Sequence, residues 1–404
     1  MKKLITPKKL IAIVLLLFVF LSYNALGKNG QNKSLALVSM VGVDMIDDKF
    51  LVSAKVIVPS STREGSSSER VFSNTGDTIS RAVFNIELML GHKLGMGHCD
   101  LIALSDPVLD TGIEKVTDYF IRTKKIAHTA LLIACGESAK DMMFATSYMS
   151  NILLIKTDAI MKFNKSNLKA MSISLDDFYK SYESESKITI IPSLKLSTSD
   201  TQGVRVKIGP SDANNMNTEG ETKYFINDGQ SYVLNKGVRV WTLDTDTVRT
   251  ANCFSPDKMA GKFTIEHITD DKVKDAKLVL KVLSKTSKPS AYFKEGKPVF
   301  SVDVSLTVCM EEIASSESEE ALLDKFQKTI TEPIKDALKE KVITDMTNLF
   351  TQTQEKNLDI LGVQKTFTQK KYRQWKKYVQ SLEDKQRYLK DISLKVNVEV
   401  NAGI

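Results

Sequence analysis

Ile392-Ser393-Leu394-Lys395-Val396-Asn397-Val398-Glu399-Val400 alternates apolar and polar residues without a break. That period of two belongs to a strand with one face in a core and the other in water. Val302–Val308 alternates equally well, so the two segments are expected to pair. A cover for their shared apolar face lies between them. Over Glu319–Phe350, Leu322, Phe326, Ile330, Ile334, Leu338, Val342, Met346 and Phe350 keep one broad helical stripe. Pro333 interrupts it, so the helix kinks there or restarts with Thr331 as its cap. The expectation is a C-terminal antiparallel sheet packed on a long helix.

Upstream of this unit, strands are expected at Tyr232–Leu234, Val238–Leu243, Lys262–His267, Leu278–Leu283 and Ser301–Met310. Between Ser197 and Thr222 the composition turns polar, interrupted by the short strand Val204–Ile208. Before it, Leu35–Val43 and Phe50–Val58 form a hairpin joined by Asp47-Asp48-Lys49, and Pro59 stops the second strand. Ser60–Arg70 is a Ser-rich loop. Asp77–Leu90 reads as an amphipathic helix capped by Asp77 and ended by Gly91. Strand Leu101–Leu104, helix Asp110–Arg122, strand Thr129–Ala134 and a helix starting near Ser138 follow, an order that implies an α/β layer. The fold class is thus α+β and multi-domain: an N-terminal α/β-type region, a strand-rich region and the C-terminal sheet. The expected domains are residues 34–200, a polar linker over 201–221, and a region over 222–404. The last divides into a middle subdomain (222–275) and the sheet with its helix (276–404).

The first 27 residues set the compartment. Met1–Lys9 is basic, Leu10–Leu21 is an unbroken apolar run, and Ala25-Leu26-Gly27 is a small-x-small site. This is the layout of a secretory signal peptide or an uncleaved signal anchor. Either way the remaining chain is exported.

The 404 residues are 42% hydrophobic and 26% charged, which excludes intrinsic disorder, collagen-like sequence and a polytopic membrane protein. Of the 56 basic residues, Lys2, Lys3, Lys8 and Lys9 lie in the leader, leaving 52 against 49 acidic ones. That is not a nucleic-acid binder's balance. Cys99, Cys135, Cys253 and Cys309 are far apart with no C-x-x-C pair, and read as buried free thiols.

Candidate chemistry is thin. His92, His98, Cys99 and Asp100 lack the spacing of a metal site, because the two histidines are neither i, i+4 on a helix nor i, i+2 on a strand. Gly91, Gly95 and Gly97 follow a helix and open a strand, the reverse of a phosphate loop. Asp176-Asp177 and Glu311-Glu312 are adjacent in sequence rather than opposed across a cleft. No G-x-S-x-G or H-E-x-x-H occurs. No catalytic, cofactor-binding or metal residue is assigned.

One segment stands out. Lys365–Tyr378 interleaves Lys365, Lys370, Lys371, Arg373, Lys376 and Lys377 with Phe367, Tyr372, Trp375 and Tyr378. Two readings stay open. It is either a helix whose Trp375 and Tyr372 bury against the C-terminal sheet while its lysines face solvent, or a surface docking a partner or anionic membrane through Lys370, Lys371, Arg373, Trp375, Lys376 and Lys377.

From about residue 35 to its end, the chain resembles the Ger(x)C family, the C subunits of nutrient germinant receptors in endospore-forming bacteria. The resemblance is carried by Val41-Gly42-Val43-Asp44, by Gly97-His98 before a buried strand, and by Tyr119-Phe120-Ile121-Arg122. Leu132-Ile133-Ala134-Cys135-Gly136 and Ala139-Lys140-Asp141 continue it, and so do Gly237-Val238-Arg239-Val240-Trp241 and Lys285–Phe300. Asp359-Ile360-Leu361-Gly362, Trp375-Lys376-Lys377 and the terminal Val-Asn-Val-Glu-Val-Asn-Ala-Gly-Ile complete the order. The resemblance implies a non-enzymatic, exported subunit on the outer face of the spore inner membrane, beside two integral-membrane receptor subunits, triggering germination in response to nutrients. It implies no cofactor, no nucleic acid and no small-molecule ligand demonstrable from sequence. Family members are usually lipoproteins with a Cys closing the signal peptide. Here Ala25-Leu26-Gly27 stands in that place and no Cys precedes Cys99, so no lipidation is expected and an uncleaved leader is a substitute anchor. The rival classes are a secreted hydrolase, which lacks a nucleophile–base constellation here, and an exported solute-binding protein, which needs two similar α/β lobes.

Overall fold

A computed structural model describes residues 35–58, 68–144, 173–197, 204–208, 221–226, 229–256, 261–270, 273–314 and 330–403. The leader, the loop over 59–67 and residues 319–329 of the expected long helix lie outside them.

Strands β1 (Leu35–Ile46) and β2 (Lys49–Val58) form the expected hairpin, with Ile46 opposite Lys49. Asp47 and Asp48 turn it with φ of 49° and 59°, the left-handed pair whose twist suits a two-residue hairpin. β3 (Ser68–Gly76) adds antiparallel to β2, a strand that the Ser-rich composition hides. Helix α1 (Ile79–Leu90) then runs back across the sheet. Its cap is Thr78 rather than Asp77: the Thr78 hydroxyl accepts from Arg81 N at 3.2 Å. Gly91 ends it at φ 67°. Only glycine fits at the entry, since a Cβ on Gly76 would lie 2.4 Å from Ala82 N.

β4 (Lys93–Gly95) pairs parallel with Leu35–Leu37, and β5 (Leu101–Leu104) pairs parallel with Met40–Val43. The expected helix Asp110–Arg122 is two helices, α2 (Asp106–Thr111) and α3 (Glu114–Thr123). Gly112, at φ 107°, breaks the run. β6 (Leu131–Ala134) pairs parallel with β5, residues 139–144 are helical, and β7 (Ile173–Ser174) closes the sheet in the order β3-β2-β1-β5-β6-β7. Alternate residues feed two cores. Val41, Val43, Val52, Ile102, Leu104 and Leu132 pack under α1 and α3, while Met40, Leu101, Ala103 and Ile133 meet Ala139, Met142 and Met143. This is the α/β layer that the sequence implied.

Helix α4 (Leu175–Tyr182) begins with a capping box, the Ser174 hydroxyl and Asp177 carboxylate each serving the other's backbone. β8 (Ile188–Pro192) then leads away. A small sheet in the order β10-β11-β9 is built from β9 (Lys195–Ser197), β10 (Val204–Ile208) and β11 (Glu221–Ile226). β12 (Ser231–Asn235) returns to pair with β8 on one side and β13 (Val238–Leu243) on the other. Strands on either side of 201–221 therefore share one sheet.

Helix α5 (Thr245–Phe254), capped by Asp244, precedes β14 (Gly261–Asp270), β15 (Val273–Lys294) and β16 (Lys297–Ala314), which form an antiparallel meander. Helix α6 (Glu332–Lys356) starts after Thr331 with Pro333 in its first turn, where a missing N–H costs nothing. Of the two outcomes left open at Pro333, the described residues show the start. Ile334, Leu338, Val342, Met346, Leu349 and Phe350 are buried against the sheet. After helix α7 (Val363–Ser381), β17 (Ser393–Ala402) pairs with β16 as expected, Val302 facing Val396 and Val304 facing Val398. The expectation of a wholly antiparallel sheet is corrected here, because β17 lies parallel to β16. The chain leaves β16 at one end of the sheet and crosses back through α6 and α7, and such a crossover returns a strand in the same direction.

Candidate functional site

Helix α7 owes its position to what precedes it. Asp359, buried, accepts hydrogen bonds from Val363 N and Gln364 N, both at 2.8 Å, and from the Tyr388 hydroxyl at 3.3 Å. The first turn's orphan N–H groups are satisfied by a side chain from the loop before it. Burial pushes the Asp359 carboxyl above its usual range, against the backbone donors that lower it. The hydroxyl of Tyr388 is pushed far up, by its own burial first and by the Asp359 charge second.

From that anchor, Val363, Thr366, Phe367 and Trp375 turn inward. Trp375 stacks on Phe367 at 4.7 Å between centroids and meets Tyr378 at 5.4 Å and Tyr388 at 5.5 Å. Phe293 of β15 closes the cluster against Phe367 and Tyr378. The Tyr378 hydroxyl donates to Tyr388 O, and burial raises it to about 12. Trp375 is therefore a core residue, 3% exposed, and is removed from the docking set that the sequence suggested: its ring is already covered by three others. Tyr372 corrects the opposite reading, for it is 56% exposed rather than buried. Backbone at Lys371 leaves the helical region (φ −141°, ψ 38°), and this break rotates Tyr372 away from the face that Trp375 occupies.

Lys370, Lys371, Arg373, Lys376 and Lys377 all lie on the exposed side of α7. Lys370 Nζ reaches the Pro289 carbonyl of β15 at 2.8 Å. The helix carries six basic residues and no acidic one. An open groove of about 670 Å³ runs from its first turns to the α4–β8 connection, Lys180 to Ile188. Gln364 of α7 donates to Glu185 across it.

The other candidates are structural or dispersed. Cys99 is buried, donates to Leu101 O, and burial pushes its thiol up to about 12, while His92 and His98 are exposed. Among the described residues no group of three or more metal-ligating side chains converges. Asp176 pairs with Lys180, Asp177 belongs to the capping box, and Glu311 pairs with Lys262 at 2.8 Å. Cys135 and Cys253 are buried free thiols and Cys309 is half-buried. Buried Asp44 caps the helical segment beginning at Ala139, accepting from Ala139 N at 2.6 Å and Lys140 N at 2.9 Å. Burial raises its carboxyl despite those bonds.

Two residues not singled out as functional in the sequence hold the assembly. Arg239 on β13 forms a two-pronged pair with Asp110 (2.8 Å each) and a third bond to Asp106 (2.9 Å), its guanidinium 4.8 Å from the Tyr232 ring. Burial alone would lower its pKa, but the two carboxylates outweigh that and hold the charge. Lys285, wholly buried, donates to the Asn252 and Ser255 carbonyls that end α5, at 2.5 and 2.7 Å. Each had only the signal of the segment it stands in, Gly237–Trp241 for Arg239 and Lys285–Phe300 for Lys285.

What fold and site define together is an α+β scaffold in which buried Asp44, Asp359 and Lys285 serve as caps and ties while α7 presents a cationic face. The family described as "Spore germination protein N-terminal domain" matches residues 32–196, and "Spore germination B3/ GerAC like, C-terminal" matches residues 230–402. The chain belongs to this GerC-like family of spore germination proteins, the C-subunit family of germinant receptors, and its role lies in spore germination. Its fold is similar to that of the solved structure titled "Crystal Structure of the GerBC protein", with a TM-score of 0.51 at 14% identity over 92% of this chain and 99% of the other. No curated protein sequence matches the chain. Among the described residues no helix is long and apolar enough to cross a membrane.

Proposed function

We propose that this chain is the exported, membrane-apposed and non-enzymatic subunit of a germinant receptor, assembled with integral-membrane subunits on the outer face of the spore inner membrane. It acts through surfaces. The leader, with its Leu10–Leu21 run, brings it to the membrane, and α7 docks an acidic surface of a partner subunit. The carrying observation is that α7 is fixed from within by Trp375 and Asp359 while Lys371, Arg373, Lys376 and Lys377 point outward without an acidic neighbour on the helix. A rigid cationic face of this kind gives electrostatic complementarity and orientation more than raw affinity.

Lys376→Glu with Lys377→Glu tests this reading. Both side chains are exposed, so stability should shift by no more than about 0.5 kcal/mol. Spores carrying the pair should hold normal levels of the protein, lose its co-purification with the membrane subunits, and respond weakly to the cognate nutrient. Germination forced downstream of the receptor should persist. Unchanged co-purification and response at a normal protein level would place the docking surface elsewhere.

A further inference from the structure

The two ends of the N-terminal sheet differ in character. At the end where β1 begins, four large apolar side chains stand in solvent: Leu35 (55% exposed), Leu37 (42%), Leu88 (62%) and Met89 (54%). Leu35 and Leu37 pair with β4, and Leu88 and Met89 lie in the last turn of α1, two residues of turn away from that same strand. Gly95 on β4 sits against both leucines, its missing Cβ leaving 3.3 Å to Leu35 Cβ and 3.6 Å to Leu37 Cδ2. Lys93 opposite Leu35 is exposed, and so are Lys124 and Lys125 at the end of α3. Lys125 lies 3.9 Å from Glu87 of α1, which brings the α3 terminus to this rim. The opposite end carries exposed Asp47, Asp48, Asp77 and Glu137 beside exposed Lys49 and Arg81. Ile46 is the exposed apolar residue there (49%), beside two aspartates.

Leu35 and Leu37 stand on the face of the sheet away from α1, since Ala36 and Val38 pack beneath that helix, and Leu88 and Met89 lie on α1 outside its buried stripe, so apolar side chains flank this end on both faces rather than forming one patch. The covalent chain limits what this end can meet. Leu35 follows the apolar run Leu10–Leu21 by fourteen residues, a reach of at most about 45–50 Å. A rim that joins apolar side chains to lysines is the composition of an interfacial membrane contact, apolar groups entering the headgroup boundary and cations meeting anionic lipid. We propose that the β1-start rim of the N-terminal sheet, Leu35, Leu37, Leu88 and Met89 with Lys93 and Lys124, rests on an anionic lipid bilayer. The acidic Asp47–Asp48 end then points away. This orientation deepens the membrane-apposed reading above and rests on it.

The test uses the full chain reconstituted with vesicles of phosphatidylglycerol and phosphatidylcholine whose acyl chains are brominated near the headgroup. Leu88→Trp and, separately, Met89→Trp are compared with Ile46→Trp, about 36 Å away along β1, after subtraction of the emission of Trp241 and Trp375. All three sites are exposed, and matched thermal transitions confirm folding. The rim tryptophans should lose most of their added emission on brominated vesicles and Ile46→Trp none. Lys93→Glu with Lys124→Glu should reduce the loss on anionic vesicles. A protein that floats with vesicles while both rim tryptophans stay unquenched would overturn the orientation alone, as would quenching at Ile46→Trp instead. A protein that does not float would overturn the membrane-apposed reading and this orientation with it.

Discussion

Lys285 shows what a single side chain can conceal. In an alternating strand, Lys277, Lys281 and Lys285 all read as solvent-facing, yet the first two are exposed and the third is buried. A register shift between Val282 and Ser284 inserts one residue and moves everything beyond it to the other face. Lys285 then points under the sheet to the end of α5, where its ammonium meets the negative pole of the helix. Lys285→Met should remove one hydrogen bond from each of the Asn252 and Ser255 carbonyls, Asn252 O keeping the Ser255 amide at 3.2 Å, a loss of about 1–3 kcal/mol in all. Chemical denaturation should show that loss, whereas Lys281→Met, one bulge earlier, should leave the midpoint nearly unmoved. Equal effects would mean that the ammonium contributes nothing beyond its methylenes. Trp375 was only half legible: a large aromatic among lysines on one helix favours the interior, but the sequence also offered it for docking, and the same reasoning failed for Tyr372, which stands in solvent.

At the scale of elements, periodicity was readable and direction was not. The alternation of β16 and β17 announced their pairing, and the stripe on α6 announced its cover. Nothing in an alternating pattern says whether two strands run parallel. β3 stayed hidden because Ser68-Glu69-Arg70 and Ser73-Asn74-Thr75 carry no apolar rhythm, while its partner β2 supplies the burial. Since β17 is an edge strand paired along ten residues, and α6 packs on it as well, ending the chain after Ile392 should remove a wall of the core. Val398 and Val400 leave with it, together burying about 3–6 kcal/mol of apolar side chain. Calorimetry should then show no cooperative transition for residues 230–392, while Lys395→Glu on the solvent side keeps one. A normal transition in the truncated chain would mean that α6 and the antiparallel meander suffice alone.

Across the whole molecule, the decisive contacts join residues more than a hundred positions apart, which local pattern cannot register. Arg239 reaches Asp110 over 129 positions, and the Ile113 amide donates to the Gly237 carbonyl at 3.0 Å. These ties seat β13 on the α2–α3 corner. Arg239→Ala should cost about 1–3 kcal/mol, the worth of charge-assisted hydrogen bonds partly open to water. It should also hasten proteolytic cutting between residues 197 and 229. Arg239→Lys, which keeps the charge but loses the two-pronged geometry, should fall between. If cutting rates match in all three proteins, the halves are held by the sheet alone.

That shared sheet bears on any attempt to build chimeras from related receptor subunits. The two family segments meet within the polar stretch around residues 197–229, which invites a splice there. Such a splice would graft β12 and β13 from one parent onto β8 and the α2–α3 corner of another. Five residue pairs of backbone register and the Arg239 clasp would all have to match between strangers. A junction at Asp244, after β13 and before α5, keeps the three strands and their clasp from a single parent, leaving the packing of Val233, Trp241 and Leu243 against Val248 and Leu358 and the Gln364–Glu185 bond among the contacts to be reconciled.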